Sequence, residues 1–190
     1  MKLIKSLKAT IIVAIVALAS LNLAYAGKTQ KITLQDVENA QQQWAQGIVK
    51  IGQTFAENGD YKQEASKLIK KLYAYNYGKN MVLFKPTKAL EQQFRKNHNA
   101  ALSYFVGYQN VKNASYKEDK GFAITPWTKV TFHNDQVYIH NDIAIAMGVY
   151  DFTNTKGQVT QVEYTFGYIK TPDGKLKIVL HHSSLPYSGK

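Results

Sequence analysis

Asp142-Ile143-Ala144-Ile145-Ala146-Met147-Gly148-Val149-Tyr150-Asp151-Phe152 is the stretch that decides the fold. Read as a strand, it sends successive side chains to opposite faces. Ala144, Ala146, Gly148, Tyr150 and Phe152 share one face, and Ile143, Ile145, Met147 and Val149 share the other. Both faces are apolar, as expected of a strand covered on both sides. Helices of the same chain can cover one face, and a second copy of the chain is the simplest cover for the other. Four more strand candidates flank it, at 129–133, 136–140, 158–169 and 175–183. Asn134-Asp135, Asn141, Thr155-Lys156-Gly157 and Pro172-Asp173-Gly174 mark turns between them. His-Asn-Asp occurs at both 133–135 and 140–142 and reads as two similar turns. Connections this short build an antiparallel meander.

The residues before this meander follow a helical period. Val37, Ala40, Trp44, Ile48, Ile51 and Phe55 recur at three- and four-residue steps, which predicts a helix over 33–57. Thr33 with Asp36 resembles a capping box at its start, and Asn58-Gly59-Asp60 ends it. A second helix has Ala65, Leu68, Ile69 and Leu72 inward and Lys62, Lys67, Lys70 and Lys71 outward. A short strand over 81–84, a third helix within 88–107 and a polar loop at 112–120 complete the first half. Helices first and strands afterwards predict an α+β layer fold.

The first 26 residues read as a segment outside the fold. Lys2, Lys5 and Lys8 precede an apolar run over 9–21, and Ala24-Tyr25-Ala26 offers a cleavage site before Gly27. The expectation is a cleaved signal peptide at 1–26 and a single domain at 27–190, periplasmic or secreted, with no membrane attachment after cleavage. Losing Lys2, Lys5 and Lys8 lowers the net charge from +11 to +8. The lysines are dispersed and Arg95 is the only arginine, so nucleic-acid readout, which leans on arginine, is not expected. There is no cysteine, which removes disulfides, thiolate metal ligands and cysteine nucleophiles. No His-Glu-x-x-His spacing occurs either, so neither a metal site nor a cofactor is expected.

The C-terminal segment Asp173-Gly174-Lys175-Leu176-Lys177-Ile178-Val179-Leu180-His181-His182-Ser183-Ser184-Leu185-Pro186 resembles the last strand of the association domain of calcium/calmodulin-dependent protein kinase II. It is also similar to bacterial relatives in the nuclear-transport-factor-2-like superfamily, which includes ketosteroid isomerases and polyketide cyclases. Val82-Leu83-Phe84-Lys85-Pro86-Thr87, the stretch 144–152 and Val162-Glu163-Tyr164-Thr165-Phe166 fit the same pattern, so the resemblance spans about residues 33–187. It implies a cone-shaped, cystatin-like roll in which a strongly curved antiparallel sheet wraps the helices around a pocket. It also implies a homodimer or larger ring joined through the sheet. Where those association domains carry basic residues, this chain has Glu163 and Ser183. No kinase domain is present. A phosphoribosyl-AMP cyclohydrolase, a label carried by some similar chains, needs a metal site with cysteine ligands and is rejected.

For chemistry, parity singles out His182. Leu176, Ile178, Leu180, His182 and Ser184 alternate onto one face, expected to be the inner one, which sends His181 outward. Glu163 shares a face with Thr165, and either His182 or Glu163 would serve as the acid or base of a pocket. Trp44, Phe84, Tyr104 and Trp127, with Thr165 and Ser184, are the expected lining. The alternating Tyr164, Phe166 and Tyr168 offer a subunit interface. The function expected from these readings is an exported module that binds a small apolar ligand and self-associates. An isomerase, dehydratase or cyclase using His182 or Glu163 is the second reading, and an oligomerising adaptor the third. Whether the chain is an enzyme is left open by its sequence.

Overall fold

The structure, a computed structural model, describes residues 31–79 and 81–189. The signal-peptide expectation concerns residues 1–26 and lies outside the described residues. Among the described residues, no helix is long and apolar enough to cross a membrane.

Helix α1 (Leu34–Ala56) opens on the capping box expected of Thr33 and Asp36, with both reciprocal bonds present. It buries Val37, Ala40, Gln41, Trp44, Ala45, Ile48, Ile51 and Gly52. Phe55, read as part of that face, is 41% exposed and packs on Tyr61 instead. Helix α2 (Tyr61–Leu72) is capped by the Asp60 side chain and buries Ala65, Leu68, Ile69 and Leu72. Strand β1 (Leu83–Lys85) and helix α3 (His98–Val106) follow. The meander is β2 (Trp127–His140), β3 (Ile143–Asn154), β4 (Val159–Lys170) and β5 (Leu176–Ser184). The sheet order is β1-β5-β4-β3-β2. β1 runs parallel to β5, and every other neighbour is antiparallel. The α+β roll expected from the resemblance is this arrangement: helices first, then a bent sheet folded over them.

One face of the sheet carries Ala144, Ala146, Tyr150, Phe152, Val162, Tyr164, Phe166 and Tyr168, all buried. Trp44 of α1 meets this face edge-on at Tyr150, Phe152 and Phe166. The Tyr164-Phe166-Tyr168 stripe is therefore core, and its reading as a subunit interface is corrected. The face turned away from the helices exposes Tyr138, Ile143, Ile145 and Met147. The two-sided apolarity of 142–152 thus persists in the fold, with only one side covered by this chain.

Three local readings change. The helix expected within 88–107 occupies only 98–106, because Asn97 caps it at Ala100 N–H. The preceding residues cannot continue it, since the N–H groups of Leu90, Glu91 and Gln92 all donate to the Glu118 carboxylate. That same contact ties down the polar loop 112–120. Asn134-Asp135 is not a turn: β2 runs through it as a bulge, whereas Asn141 takes the left-handed conformation of a real turn. Gly148 faces the bulge, where a Cβ would sit 2.1 Å from the His133 carbonyl oxygen. A bulge leaves an extra residue on one strand and sharpens its bend.

The third change moves the site. Gly167 pairs with Leu180 but Tyr168 pairs with Ile178, so Val179 is an extra residue in β5. Ile178 points inward as expected. Beyond the bulge the parity reverses, and His181 and Ser183 are buried while His182 is exposed. The alternation that placed His182 inside holds only for an uninterrupted strand.

Candidate active site

His181 sits at the centre of a buried polar chain that crosses the aromatic core. Phe84 of β1 stacks on its ring at 4.5 Å, and the Phe166 ring meets it edge-on at 4.1 Å. Its Nδ1 lies 2.8 Å from the Tyr73 hydroxyl, which also receives the Trp44 indole N–H at 2.9 Å. Its Nε2 lies 2.9 Å from Ser183 Oγ, and Ser183 Oγ lies 2.5 Å from the Tyr150 hydroxyl.

The chemistry of these groups orders the protons. An indole N–H only donates, so the Tyr73 oxygen is an acceptor from Trp44. Tyr73 must place its own proton on another atom, and His181 Nδ1 is the acceptor within reach. The imidazole proton then resides on Nε2 and is donated to Ser183. Ser183 donates to the Tyr150 oxygen, and the Tyr150 hydroxyl is left to donate onward. This tautomer is assigned from the network. Electrostatics agree: burial, and secondarily the neighbouring His182, hold His181 well below the ordinary imidazole range. It is neutral at physiological pH. Burial also raises the Tyr73, Tyr104 and Tyr150 phenols, so all three remain protonated donors. The Thr87 hydroxyl works against that rise at Tyr104 and Tyr150.

The chain ends at a cavity of about 10 Å³, roughly the room one water needs. Trp44, Phe84, Phe105 and Phe122 wall it, and Tyr104, Tyr150, His181, Ser183, Thr87 and Pro86 complete the lining. Among these residues only Thr87 and Phe122 are part-exposed. The lining surrounds that space with aromatic carbon and sets the Tyr104, Tyr150 and Thr87 side chains beside it.

Of the residues expected in a pocket lining, Trp44, Phe84 and Tyr104 stand here. Trp127 lies behind the wall, packed on Phe122 and Phe152. His182, Glu163, Thr165 and Ser184 do come together, but in a groove of about 470 Å³ on the outer face of the sheet. There Thr165 is opposite His182 in the register, and Ser184 Oγ donates to Glu163 at 2.9 Å. Their placement in an inner pocket is corrected: the Val179 bulge turns His182 and Ser184 outward, and Glu163 and Thr165 alternate with the buried Val162, Tyr164 and Phe166 of β4. Tyr73, Tyr150, His181, Ser183 and Thr87 were not singled out as site residues. Gly167 was the available signal, since a glycine inside a strand often marks a bulge. Among the described residues no group of three or more His, Asp or Glu side chains could hold a metal ion.

Helices enclosed by a bent five-stranded sheet, with a small polar-tipped pocket in the core, define a nuclear-transport-factor-2-like roll. A bacterial example is a calcium/calmodulin-dependent protein kinase II association domain from Xanthomonas campestris, with TM-score 0.53 and 22% identity over 84% of this chain and 96% of that one. At that identity the likeness shows the fold alone. Residues 35–185 match the family model described as metal-independent carbonic anhydrase, and the chain belongs to that family. A metal-independent carbonic anhydrase from Nostoc sp. is 40% identical over 159 residues, covering 82% of this chain and 75% of the relative. The crystal structure of an iota-carbonic anhydrase from a cyanobacterium, complexed with bicarbonate, superposes with TM-score 0.77. It is 39% identical and covers 83% of this chain and 94% of that one. These findings overturn the expectation of a non-catalytic binding or association module, because the family is one of enzymes. The ligand of that cyanobacterial structure is bicarbonate, a small anion, where an apolar ligand was expected here.

Proposed function

We propose that this chain catalyses the reversible hydration of carbon dioxide to bicarbonate, without a metal ion, in the cavity where His181, Ser183, Tyr150 and Tyr104 meet. The observation that carries the reading is the buried, neutral hydrogen-bond chain ending in a cavity of about 10 Å³. In the reaction a water oxygen bonds to the carbon, one C=O electron pair moves onto oxygen, and the water loses a proton. No protein bond changes. The aromatic walls suit a substrate with no net dipole. The Tyr104 and Tyr150 hydroxyls suit the oxygen on which charge gathers, and preorganised donors act most strongly where water is excluded.

His181 positions Ser183 in this scheme; it is not the base. Its Nδ1 is taken by Tyr73, and burial disfavours its charged form. The chain cannot carry the proton inward, because it stops at the Trp44 N–H, which has no lone pair to accept one. The proton passes to solvent on the side of Thr87 and Phe122, the part-exposed residues of the lining. The test is carbon dioxide hydration followed by stopped flow and isotope exchange on chelator-treated protein, with metal content measured on the same sample. A saturable rate above the uncatalysed one, with far less than one metal per chain, is expected. A rate that disappears on chelation and returns with added zinc overturns the reading.

Export and self-association belong to the same proposal. The Lys2–Lys8 n-region and Ala-Tyr-Ala site support a periplasmic or secreted mature protein beginning at Gly27. The uncovered Tyr138, Ile143, Ile145 and Met147 support a homo-oligomer joined through the outer sheet face. N-terminal sequencing and analytical ultracentrifugation of protein from its native host check both. Retained Met1, or a stable monomer at micromolar concentration, contradicts the corresponding half.

A further inference from the structure

Arg95 is the only arginine of the chain, and it is fully buried. Its Nη2 lies 2.6 Å from Asp119 Oδ1, and Asp119 Oδ2 accepts the Ser103 hydroxyl at 2.6 Å. Its Nη1 donates to the Gln92 carbonyl, while its Nε has no protein partner. Burying such a pair is costly, and apolar residues of similar volume generally stabilise a core as well or better. Stability alone therefore does not account for it.

Its contacts converge on the candidate site. The Arg95 N–H donates to the Phe84 carbonyl at 2.9 Å, and Phe84 stacks on His181. The guanidinium carbon is 5.8 Å from the Tyr104 ring centroid and 4.2 Å from that of Tyr116. Ser103, held by Asp119, is the residue before Tyr104 on α3. The Asp119 carbonyl also accepts the Tyr108 N–H just past that helix. The Asp119 side chain thus holds α3 at Ser103, while the backbones of Asp119 and Arg95 join Tyr108 and β1 to the same place, where the chain at 86–97 and 112–120 has no regular secondary structure.

We infer that the buried Arg95–Asp119 pair, acting through Ser103 and the Tyr104 ring, positions the Tyr104 hydroxyl over the cavity. Both residues are positioning residues, and the inference rests on the carbonic anhydrase reading. A donor aimed at developing charge loses its effect with small displacements, and a misplacement of about 1 Å can cost about a hundredfold in rate.

The experiment compares wild-type protein with the double variant Arg95→Met/Asp119→Leu and the single variant Ser103→Ala, by thermal unfolding and by steady-state hydration kinetics. The double variant replaces the pair with apolar side chains but strands the buried Ser103 hydroxyl, so its unfolding midpoint falls somewhat and rates are compared well below it. Its kcat is expected to fall about a hundredfold with KM little changed, the signature of an interaction made in the transition state. Ser103→Ala shows a smaller fall in the same direction, and it decides the matter if the double variant does not fold. A merely structural pair predicts a shifted midpoint with kcat intact wherever the protein is folded. Wild-type activity with full kcat in the folded variants overturns this inference alone. An inactive wild-type chain removes the carbonic anhydrase reading and this inference together.

Discussion

Ser183→Ala is expected to lower the rate of carbon dioxide hydration about a hundredfold, because the Tyr150 donor that Ser183 orients loses its place and a misplacement of about 1 Å can cost that much. Ser183 is the link through which His181 reaches the cavity: it accepts from Nε2 at 2.9 Å and lies 2.5 Å from Tyr150. Alanine leaves the Nε2–H without an acceptor and frees the Tyr150 hydroxyl to rotate. Stability falls too, by about 1–3 kcal/mol for the stranded buried donor. The two losses separate by temperature. Stopped-flow rates measured well below the unfolding midpoint retain the catalytic deficit, whereas a purely structural serine would show near wild-type rates there. Full activity of folded Ser183→Ala would place the chemistry elsewhere.

The adjacent histidines make the second contrast. His181→Ala removes a buried ring stacked on Phe84 and strands the Tyr73 hydroxyl. Losing a buried aromatic side chain costs about 3–5 kcal/mol, a large part of the roughly 5–15 kcal/mol that holds a domain folded. His182→Ala, on the exposed face, stays within about 0.5 kcal/mol of wild type. Chemical denaturation of both variants checks this, and equal losses would mean the β5 register is misassigned. The same residue sets a pH dependence. His181 is held well below its ordinary value of 6.5 in the fold, so below pH 6.5 the unfolded chain binds a proton that the native state does not. Stability is then complete above pH 6.5 and falls as the pH drops, by at most about 1.4 kcal/mol per pH unit from this group. His181→Phe keeps a ring in place and should flatten that part of the profile.

The helical face through Val37, Trp44 and Ile51, the Thr33–Asp36 cap, the meander order and the two-sided apolarity of 142–152 follow from local rules, because period and capping act within a few residues. They were legible in the chain itself, as was the likeness of the C-terminal segment to a family of rolls. Trp44, Phe84 and Tyr104 were legible as pocket aromatics for the same reason: large rings on separate elements of one small core must converge. The face on which each β5 residue lies was another matter. Alternation fixes parity only along an unbroken strand, and Ile178-Val179-Leu180 is apolar throughout, so it gives no sign of where the alternation slips. The slip is set by pairing with β4, where Gly167 stands opposite Leu180 and leaves Val179 without a counterpart. That one residue exchanges His182 for His181 and Ser184 for Ser183 at the cavity. Tyr73, Tyr150 and Arg95 were likewise silent in one dimension, since their roles depend on partners 108, 33 and 24 residues away. Propensity and period are properties of a segment and can be read from it, whereas a hydrogen-bond chain across the core exists only once distant segments have packed.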